Sequence, residues 1–345
     1  LLAGWALLMI PFSTDSAQSL VYYRRFYLFT AIWVAASVAV TERRRLMMMA
    51  ALLIGSMSIS IYGQIHNARL ADGMFSERMG EIFNPMTSGA LLMMALLVAA
   101  GFLITGGIRG KVKIAVAVAA LPVALGLVLT MTRSAQLGLM AGLGLMLLLA
   151  KPRLFGVFLG VLVVAVVFLA FFGEDVLSER MWGRINPAYV MGGENTSSRL
   201  EMWRGGLEMV KAHPVTGVGD RGLEEIGPDY YTSEFGVYHG HLHNNLIHMM
   251  VIWGVPGLIF GLAFILAGFW YLWKRWRALH RLADAKEKAP VQSAWILGAL
   301  GAWISFNIAG LTEWYFGDAE TMLIFLAILG VALGPGLEQG RENLA

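Results

Sequence analysis

The amino-acid sequence predicts an all-α polytopic membrane protein, and three observations support this fold class. Of the 345 residues, 57% are hydrophobic and only 14% are charged, whereas a water-soluble domain carries roughly 25% charged residues. Apolar runs approaching the ~20 residues that cross a bilayer recur along the whole chain. The connectors between these runs alternate between strongly basic sequences and sequences with little or no excess of lysine and arginine, as expected for segments on opposite sides of a membrane.

About ten apolar runs are predicted to span the membrane, and the shorter ones require tilt or a locally thinner bilayer. These predicted spans are residues 1–12, 26–40, 46–62, 87–105, 112–129, 137–150, 154–172, 245–273, 294–311 and 319–333. The first run is already apolar at Leu1, without an initiator methionine. We therefore expect N-terminal sequence, with one or more helices, to precede it.

The basic connectors predict the orientation of the chain. Four of them are rich in lysine and arginine: residues 42–45, 109–113, 151–153 and 274–288. Ten spans put all four on one side, which the positive-inside rule makes cytoplasmic. The opposite, outer side then holds a large loop, so we divide the chain into N-terminal spans (1–172), a periplasmic loop subdomain with helices (173–244) and C-terminal spans (245–345).

One helix of the outer loop has recognisable start and stop signals. Ser198 and Glu201 have the spacing of a capping box, in which a hydroxyl and a carboxylate satisfy the first backbone amides of a helix. Proline cannot continue a helix, so Pro214 predicts its end. Arg199 would then lie in the first helical turn, where amides and the helix dipole favour an anion.

Three histidines, His239, His241 and His243, stand where the outer loop enters the next apolar run. Histidine titrates near neutrality and can take a proton from a hydroxyl group. We predict His243 as a general base, supported by Asn244 and His241. In an extended segment the three rings would share one face and could bind zinc. The chain has no cysteine, and the glycine after His239 makes the extended form unreliable, so we predict no metal.

Arginines on the outer side are the candidate anion-binding residues. Arg133 lies in a very short turn between two apolar runs, where an ionisable side chain is costly and indicates a functional site. Arg221 lies in a glycine-rich turn and has a weaker claim to the same role as Arg199. Guanidinium groups match phosphate oxygens well, although solvated or lipid-facing arginines are the alternative. Glu313 and Asp318 stand isolated between the last two spans and are left out of this prediction.

Several function classes are excluded by missing sequence features. The chain has no P-loop, no G-x-S-x-G nucleophile motif and no paired-aspartate motif on the outer side. A net charge of +3, spread along the chain, does not indicate binding to nucleic acid.

Motifs that occur in order over about residues 80–265 resemble the O-antigen ligase/polymerase superfamily of bacterial inner-membrane glycosyltransferases. They are Ser198-Arg199-x4-Arg204, His213-Pro214-Val215-Thr216-Gly217-Val218-Gly219 and His243-Asn244-x7-Ile252-Trp253-Gly254-x2-Gly257. The turn Thr132-Arg133-Ser134 and the segment Phe83-Asn84-Pro85 are similar to earlier parts of that family.

The resemblance implies a GT-C-like fold and transfer of a glycan from undecaprenyl pyrophosphate to an acceptor hydroxyl. The reaction would occur at the periplasmic face of a Gram-negative inner membrane, without cofactor or metal and with inversion at the anomeric carbon. His243 would be the base, and Arg133, Arg199 and Arg221 would bind the pyrophosphate. We expect Arg133, Arg199 and His243 to line one pocket open to the periplasm.

The resemblance is closest to the ligases, which join O-antigen to lipid A–core. Donor, acceptor and membrane lipids are then the expected partners. An O-antigen polymerase and a protein O-oligosaccharyltransferase are alternatives within the superfamily. A transporter or flippase for lipid-linked sugars is an alternative of another class, and it predicts charges spread through the membrane depth. A metal-binding sensor that uses the three histidines is a third hypothesis.

Overall fold

The computed structural model describes residues 1–70, 77–177, 182–183, 186, 194–220, 222–232, 238, 240–281 and 290–334. Within these ranges the regular secondary structure is helical, and the all-α polytopic class is confirmed. The α-helices, in chain order, are α1 (Leu2–Met9), α2 (Ser16–Tyr23), α3 (Thr30–Val38), α4 (Glu42–Ala68), α5 (Pro85–Thr105), α6 (Gly110–Leu129), α7 (Arg133–Ala150), α8 (Pro152–Val176), α9 (Glu194–Ala212), α10 (Gly222–Ile226), α11 (Asn245–Arg281), α12 (Pro290–Ala309) and α13 (Ala319–Leu333).

Seven of the described helices are long and apolar enough to cross a membrane, namely α4 to α8, α11 and α12. Each coincides with a predicted span. The other three predicted spans are shorter helices in the structure. Residues Leu2–Phe12 and Ala319–Leu333 form short apolar helices, and the run at 26–40 is divided between a 3-10 helix (Arg24–Phe29) and α3.

The chain divides into two compact units, which cut across the three sequence regions. Unit 1 contains Leu1–Leu28, Asn186–Gly268 and Ala309–Ala319. Unit 2 contains Phe29–Ile185, Phe269–Ile308 and Glu320–Ala345. Unit 1 therefore joins the start of the chain, most of the loop before α11, the first part of α11 and the connector before α13.

Unit 2 is a helical bundle around α5 and α12, whose apolar windows are 83% and 78% buried. The backbones of α5 and α12 approach closely at Gly101, where an added Cβ atom would meet the carbonyl oxygen of Ala294. A small residue at this contact is what allows the close approach. Helix α7 is hydrogen-bonded to α12, because Oγ of Ser305 in α12 donates to the carbonyl oxygen of Gly138 in α7 at 2.5 Å. Helix α8 has none of its apolar window buried, as expected for a helix that faces lipid.

Helix α11 is broken at Gly254, whose φ of 69° lies in the left-handed region. The residue two positions later is Pro256, which has no amide hydrogen and leaves the carbonyl of Ile252 without its usual helical donor. Gly219 supplies that donor at 3.1 Å, and Val218 donates to the carbonyl of Val251 at 2.8 Å. The predicted continuous span 245–273 is therefore two helical segments, and a loop of unit 1 bonds to the break.

Helix α9 starts earlier than its predicted capping box. It begins at Glu194 and ends at Ala212, just before His213 and Pro214. The predicted end is confirmed, but Ser198 lies inside the helix, where serine is tolerated. Arg199 is consequently in the second turn, and the argument that first-turn amides assist it in binding an anion is wrong.

Candidate functional site

The candidate site lies in unit 1, where a histidine and a glutamate from distant parts of the chain form a pair. Nδ1 of His243 lies 2.7 Å from Oε1 of Glu313. Both side chains are largely buried, with exposed fractions of 13% and 8%. The ring of His241 packs edge-on against that of His243, with centroids 4.3 Å apart. Two predicted site residues therefore meet a carboxylate that the sequence analysis left out.

The Glu313 carboxylate has two further neighbours. Its Oε2 atom lies 3.7 Å from Nη2 of Arg199, and its Oε1 atom accepts a hydrogen bond from the amide of Trp314 at 3.3 Å. Burial works to raise the pKa of the Glu313 carboxyl. The hydrogen bond and charge of His243, followed by the charges of Arg199 and His241, outweigh burial and hold this pKa below its usual value. Glu313 is therefore ionised at neutral pH.

Two asparagines hold the connector of Glu313 against the start of α11. Asn244 caps the helix, because its Oδ1 atom accepts from the amides of Leu246 at 2.9 Å and Ile247 at 3.0 Å. Its Nδ2 atom donates to the carbonyl of Leu311 at 2.7 Å. The backbone amide of Asn245 donates to the carbonyl oxygen of Gly310 at 2.7 Å. The side-chain Oδ1 atom of Asn245 accepts from the backbone amide of Tyr315 at 2.9 Å. These bonds bracket Glu313 on both sides and fix its position.

His243 has a φ of 47°, in the left-handed region that residues other than glycine rarely occupy. This conformation costs about 1–2 kcal/mol. Such strain persists only where surrounding contacts impose it, and it concentrates at functional sites. Here the cap at Asn244 and the pair with Glu313 fix the residue on both sides. The conformation sets the direction in which the imidazole leaves the backbone.

Helix α9 brings Arg199 to this pair. Nε1 of Trp203 donates to the carbonyl of Leu242 at 2.8 Å. Gly206 faces the same residue, because a Cβ atom there would meet a methyl group of Leu242. The residue next to His243 is thus clamped to α9 about one helical turn from Arg199. Arg199 remains 26% exposed, so its guanidinium can reach a ligand while it neutralises Glu313.

The charge of Glu313 determines which nitrogen of His243 can act as a base. An ionised carboxylate only accepts hydrogen bonds, so a neutral His243 must carry its proton on Nδ1 and donate it to Glu313. Nε2 then holds the lone pair. The arrangement can take a proton at Nε2, and Glu313 stabilises the imidazolium that forms. This is the chemistry of a general base with a positioned carboxylate partner.

The same side chains could also hold a divalent cation. His241, His243 and Glu313 each offer a ligand atom, and these atoms lie within 4.8 Å of one another. Three such ligands and an open fourth position would suit zinc. The guanidinium of Arg199 already lies beside the only carboxylate of the three and opposes a second positive charge there. A metal site stays an alternative use of this cluster.

The remaining predicted residues are Arg133, Arg221 and His239. Arg133 is the first residue of α7 and belongs to unit 2. The residue two positions before it, Met131, has a φ of 48°, so the short turn that carries Arg133 is strained as well. Arg221 and His239 lie outside the described residues. That Arg133, Arg199 and His243 line one pocket stays a prediction.

Glu313 is the site residue that sequence reasoning missed. It stands in a short, mostly apolar connector between α12 and α13, and a carboxylate in such a place is itself a signal. Its distance of 70 positions from His243 hides the pairing, because no local spacing connects the two residues.

A family model described as O-antigen ligase matches residues 117–262, which is under half of the 345 residues. The match includes Arg133, Arg199 and His243 and ends before Glu313. No curated protein matches the chain.

Proposed function

We propose that the protein is an O-antigen ligase, on the premise that residues 117–262 match a family model described as O-antigen ligase. It transfers O-antigen from undecaprenyl pyrophosphate to a sugar hydroxyl of lipid A–core. The reaction takes place at the periplasmic face of a Gram-negative inner membrane. The observation that carries the proposal is the buried pair of His243 and Glu313 with Arg199 beside it.

The first part of the mechanism is removal of a proton from the acceptor. A sugar hydroxyl is a weak nucleophile, so a base within hydrogen-bond reach must take its proton as it attacks. Nε2 of His243 takes the proton, while Nδ1–H stays bonded to Glu313. The acceptor oxygen forms its bond to the anomeric carbon from the face opposite the leaving group, which inverts the configuration. The developing imidazolium is stabilised by a carboxylate 2.7 Å away.

The second part is departure of undecaprenyl pyrophosphate. As the bond from the anomeric carbon to the phosphate oxygen breaks, negative charge builds on that oxygen. A preorganised guanidinium stabilises this charge, and Arg199 is held for that role by α9. We propose the same role for Arg133 and Arg221 on the sequence argument. The arginines and His243 together account for charge stabilisation and proton transfer without a metal ion.

A direct test is an in vitro reaction with purified protein and O-antigen linked to undecaprenyl pyrophosphate. Three acceptors are offered separately: lipid A–core, a second repeat unit and a serine-containing peptide. The proposal expects glycosylated lipid A–core. Growth of the repeat polymer alone would instead identify a polymerase, and a glycosylated peptide a protein O-oligosaccharyltransferase. Transport of the intact donor without transfer to any acceptor would identify a flippase.

Variants test the assigned roles in the same assay and in a ligase-null strain. His243→Ala is expected to lower the transfer rate by about 10²- to 10⁴-fold. His66→Ala, at an exposed histidine of α4, is the matched control. Normal lipopolysaccharide with attached O-antigen in the His243→Ala strain would overturn the assignment of the base. Arg133→Lys and Arg199→Lys keep the charge but lose the planar fork, so we expect a higher KM for the donor.

A further inference from the structure

Arg78 is a second arginine near the turn that carries Arg133, within unit 2. Its Nε atom donates to the carbonyl oxygen of Thr130 at 2.9 Å. Its Nη2 atom donates to the hydroxyl of Thr132 at 3.1 Å. One guanidinium therefore bonds to the residues on both sides of Met131. Arg78 lies in the segment before α5, more than fifty positions from the turn in the chain.

The neighbour of Arg78 anchors it at this position. The amide of Met79 donates to the carbonyl of Leu129, the last residue of α6, at 2.9 Å. The Met79 side chain is 1% exposed and packs against α4, where a Cβ atom at Gly63 would collide with it. Because the backbone at Met79 is fixed in this way, the guanidinium of Arg78 has a short and defined reach to the turn.

The turn needs such a support because it is strained. Met131 has a φ of 48°, which costs a residue other than glycine about 1–2 kcal/mol. The turn is also buried, since Thr130, Met131 and Thr132 are at most 4% exposed. Buried backbone carbonyls need donors, and Arg78 provides one to Thr130.

Arg78 also acts on the start of α7. Thr132 is the residue before α7, but its side chain makes no capping hydrogen bond to the helix. Its hydroxyl instead donates to the carbonyl of Pro85 at 2.8 Å and accepts from Arg78. The next residue is Arg133. The position of the Arg133 backbone is thus set by contacts of its direct neighbour with Arg78 and Pro85.

We propose that Arg78 is a positioning residue for Arg133, which holds the strained turn in the conformation where Arg133 binds the phosphates of the donor. The inference rests on the proposed function, because it takes Arg133 to be a phosphate ligand. Its distinctive consequence is that Arg78 acts through Arg133. Without Arg133, loss of Arg78 should therefore have no further effect on phosphate binding, whereas two independent residues would give multiplied effects.

The test is a double-mutant cycle on the purified full chain, with inorganic pyrophosphate as the probe and calorimetry as the readout. The variants are Arg78→Ala, Arg133→Ala and the double variant, with Arg153→Ala at an exposed residue of α8 as the control. We expect each single variant to weaken pyrophosphate binding by about tenfold. The double variant should bind no more weakly than Arg133→Ala, and Arg153→Ala should match the wild type.

Two conservative variants keep the test informative if Arg78→Ala does not fold. Arg78→Lys keeps the charge but cannot reach both acceptors, and Thr132→Val removes the hydroxyl that accepts from Arg78. Both are expected to raise KM for the lipid-linked donor at least threefold, with kcat unchanged. A wild-type KM in both conservative variants would overturn the inference. So would tenfold losses of pyrophosphate affinity in the two single variants that multiply to about a hundredfold in the double variant. If Arg133→Ala itself binds like the wild type, the phosphate role of Arg133 fails first.

Discussion

His243 Nδ1 and Glu313 Oε1 lie 2.7 Å apart although 70 positions separate the two residues in the chain. The pair is assembled by hydrogen bonds that Asn244 and Asn245 donate to carbonyls of the connector that carries Glu313, and by one that Asn245 accepts from the amide of Tyr315. A histidine at position 243 is therefore not sufficient by itself for an oriented general base. The carboxylate of Glu313 is also needed, because it fixes the tautomer and the orientation of the ring.

Replacement of Glu313 by glutamine should lower kcat with little change in KM for either substrate. Glutamine keeps the shape of the side chain but loses the charge that stabilises the imidazolium, so we expect a loss of at least about tenfold. Initial rates of transfer to lipid A–core measure the effect. Glu208→Gln, at a 56% exposed residue of α9, is the matched control and should be neutral. A Glu313→Gln enzyme with full kcat would exclude the carboxylate from catalysis.

The stability difference between the wild type and Glu313→Gln should depend on pH. The folded-state pKa of Glu313 lies below its usual value of 4.5. The ionised carboxylate therefore stabilises the fold above the unfolded-state pKa, and this contribution is lost as the pH falls through the folded-state value. Tryptophan-fluorescence melts from about pH 7 to about pH 3 should show a gap that persists near pH 5 and closes in stronger acid. A gap that widens steadily below pH 4 would contradict the assigned direction of the pKa shift.

The strain at His243 can be measured apart from its chemistry. Both His243→Ala and His243→Gly lose the imidazole, but only glycine adopts a φ of 47° without steric cost. We expect the glycine variant to unfold with a free energy about 1 kcal/mol larger than that of the alanine variant. Detergent-solubilised protein and chemical denaturation are suitable for the comparison. Equal stabilities would mean that position 243 is unstrained.

The break in α11 should not tolerate alanine at position 254. Gly254 has a φ of 69°, and a Cβ atom there would collide with the carbonyls of Pro214 and Val215. We expect Gly254→Ala to destabilise unit 1 by at least about 2 kcal/mol. Gly156→Ala is the control, because no atom lies within 4 Å of an added Cβ at Gly156. A melting temperature of Gly254→Ala within a degree of the control's would contradict the assigned clash.

Hydropathy determined most of the membrane architecture in advance. Seven predicted spans coincide with helices long enough to cross a bilayer, because length and apolarity are the two requirements and both are local properties of sequence. The break at Gly254 was missed because its cause is not local. Gly254 and Pro256 by themselves suggest only a kink, whereas the loop amides that satisfy the broken helix come from residues 218 and 219.

Only part of the candidate site could be predicted from the sequence. Arg199 and His243 could be chosen because a guanidinium matches phosphate oxygens and a histidine can take a proton from a hydroxyl group. The structural reason given for Arg199 was wrong, since α9 starts at Glu194 and Arg199 meets a carboxylate instead of first-turn amides. Glu313 and Arg78 were missed for a common reason. Each acts on a residue that is distant in the chain, and only the folded structure reveals such a pairing.

The hydrogen bonds at the break of α11 have a consequence for segment 214–219. Its proline and two glycines would suggest a mobile surface loop. Yet the amides of Val218 and Gly219 are bonded to carbonyls of α11, and Val255 donates back to Pro214 at 2.8 Å. These amides should therefore exchange with deuterated solvent as slowly as those of the helix itself. The loop and the broken part of α11 therefore form one hydrogen-bonded unit. Unfolding of either segment should release the other.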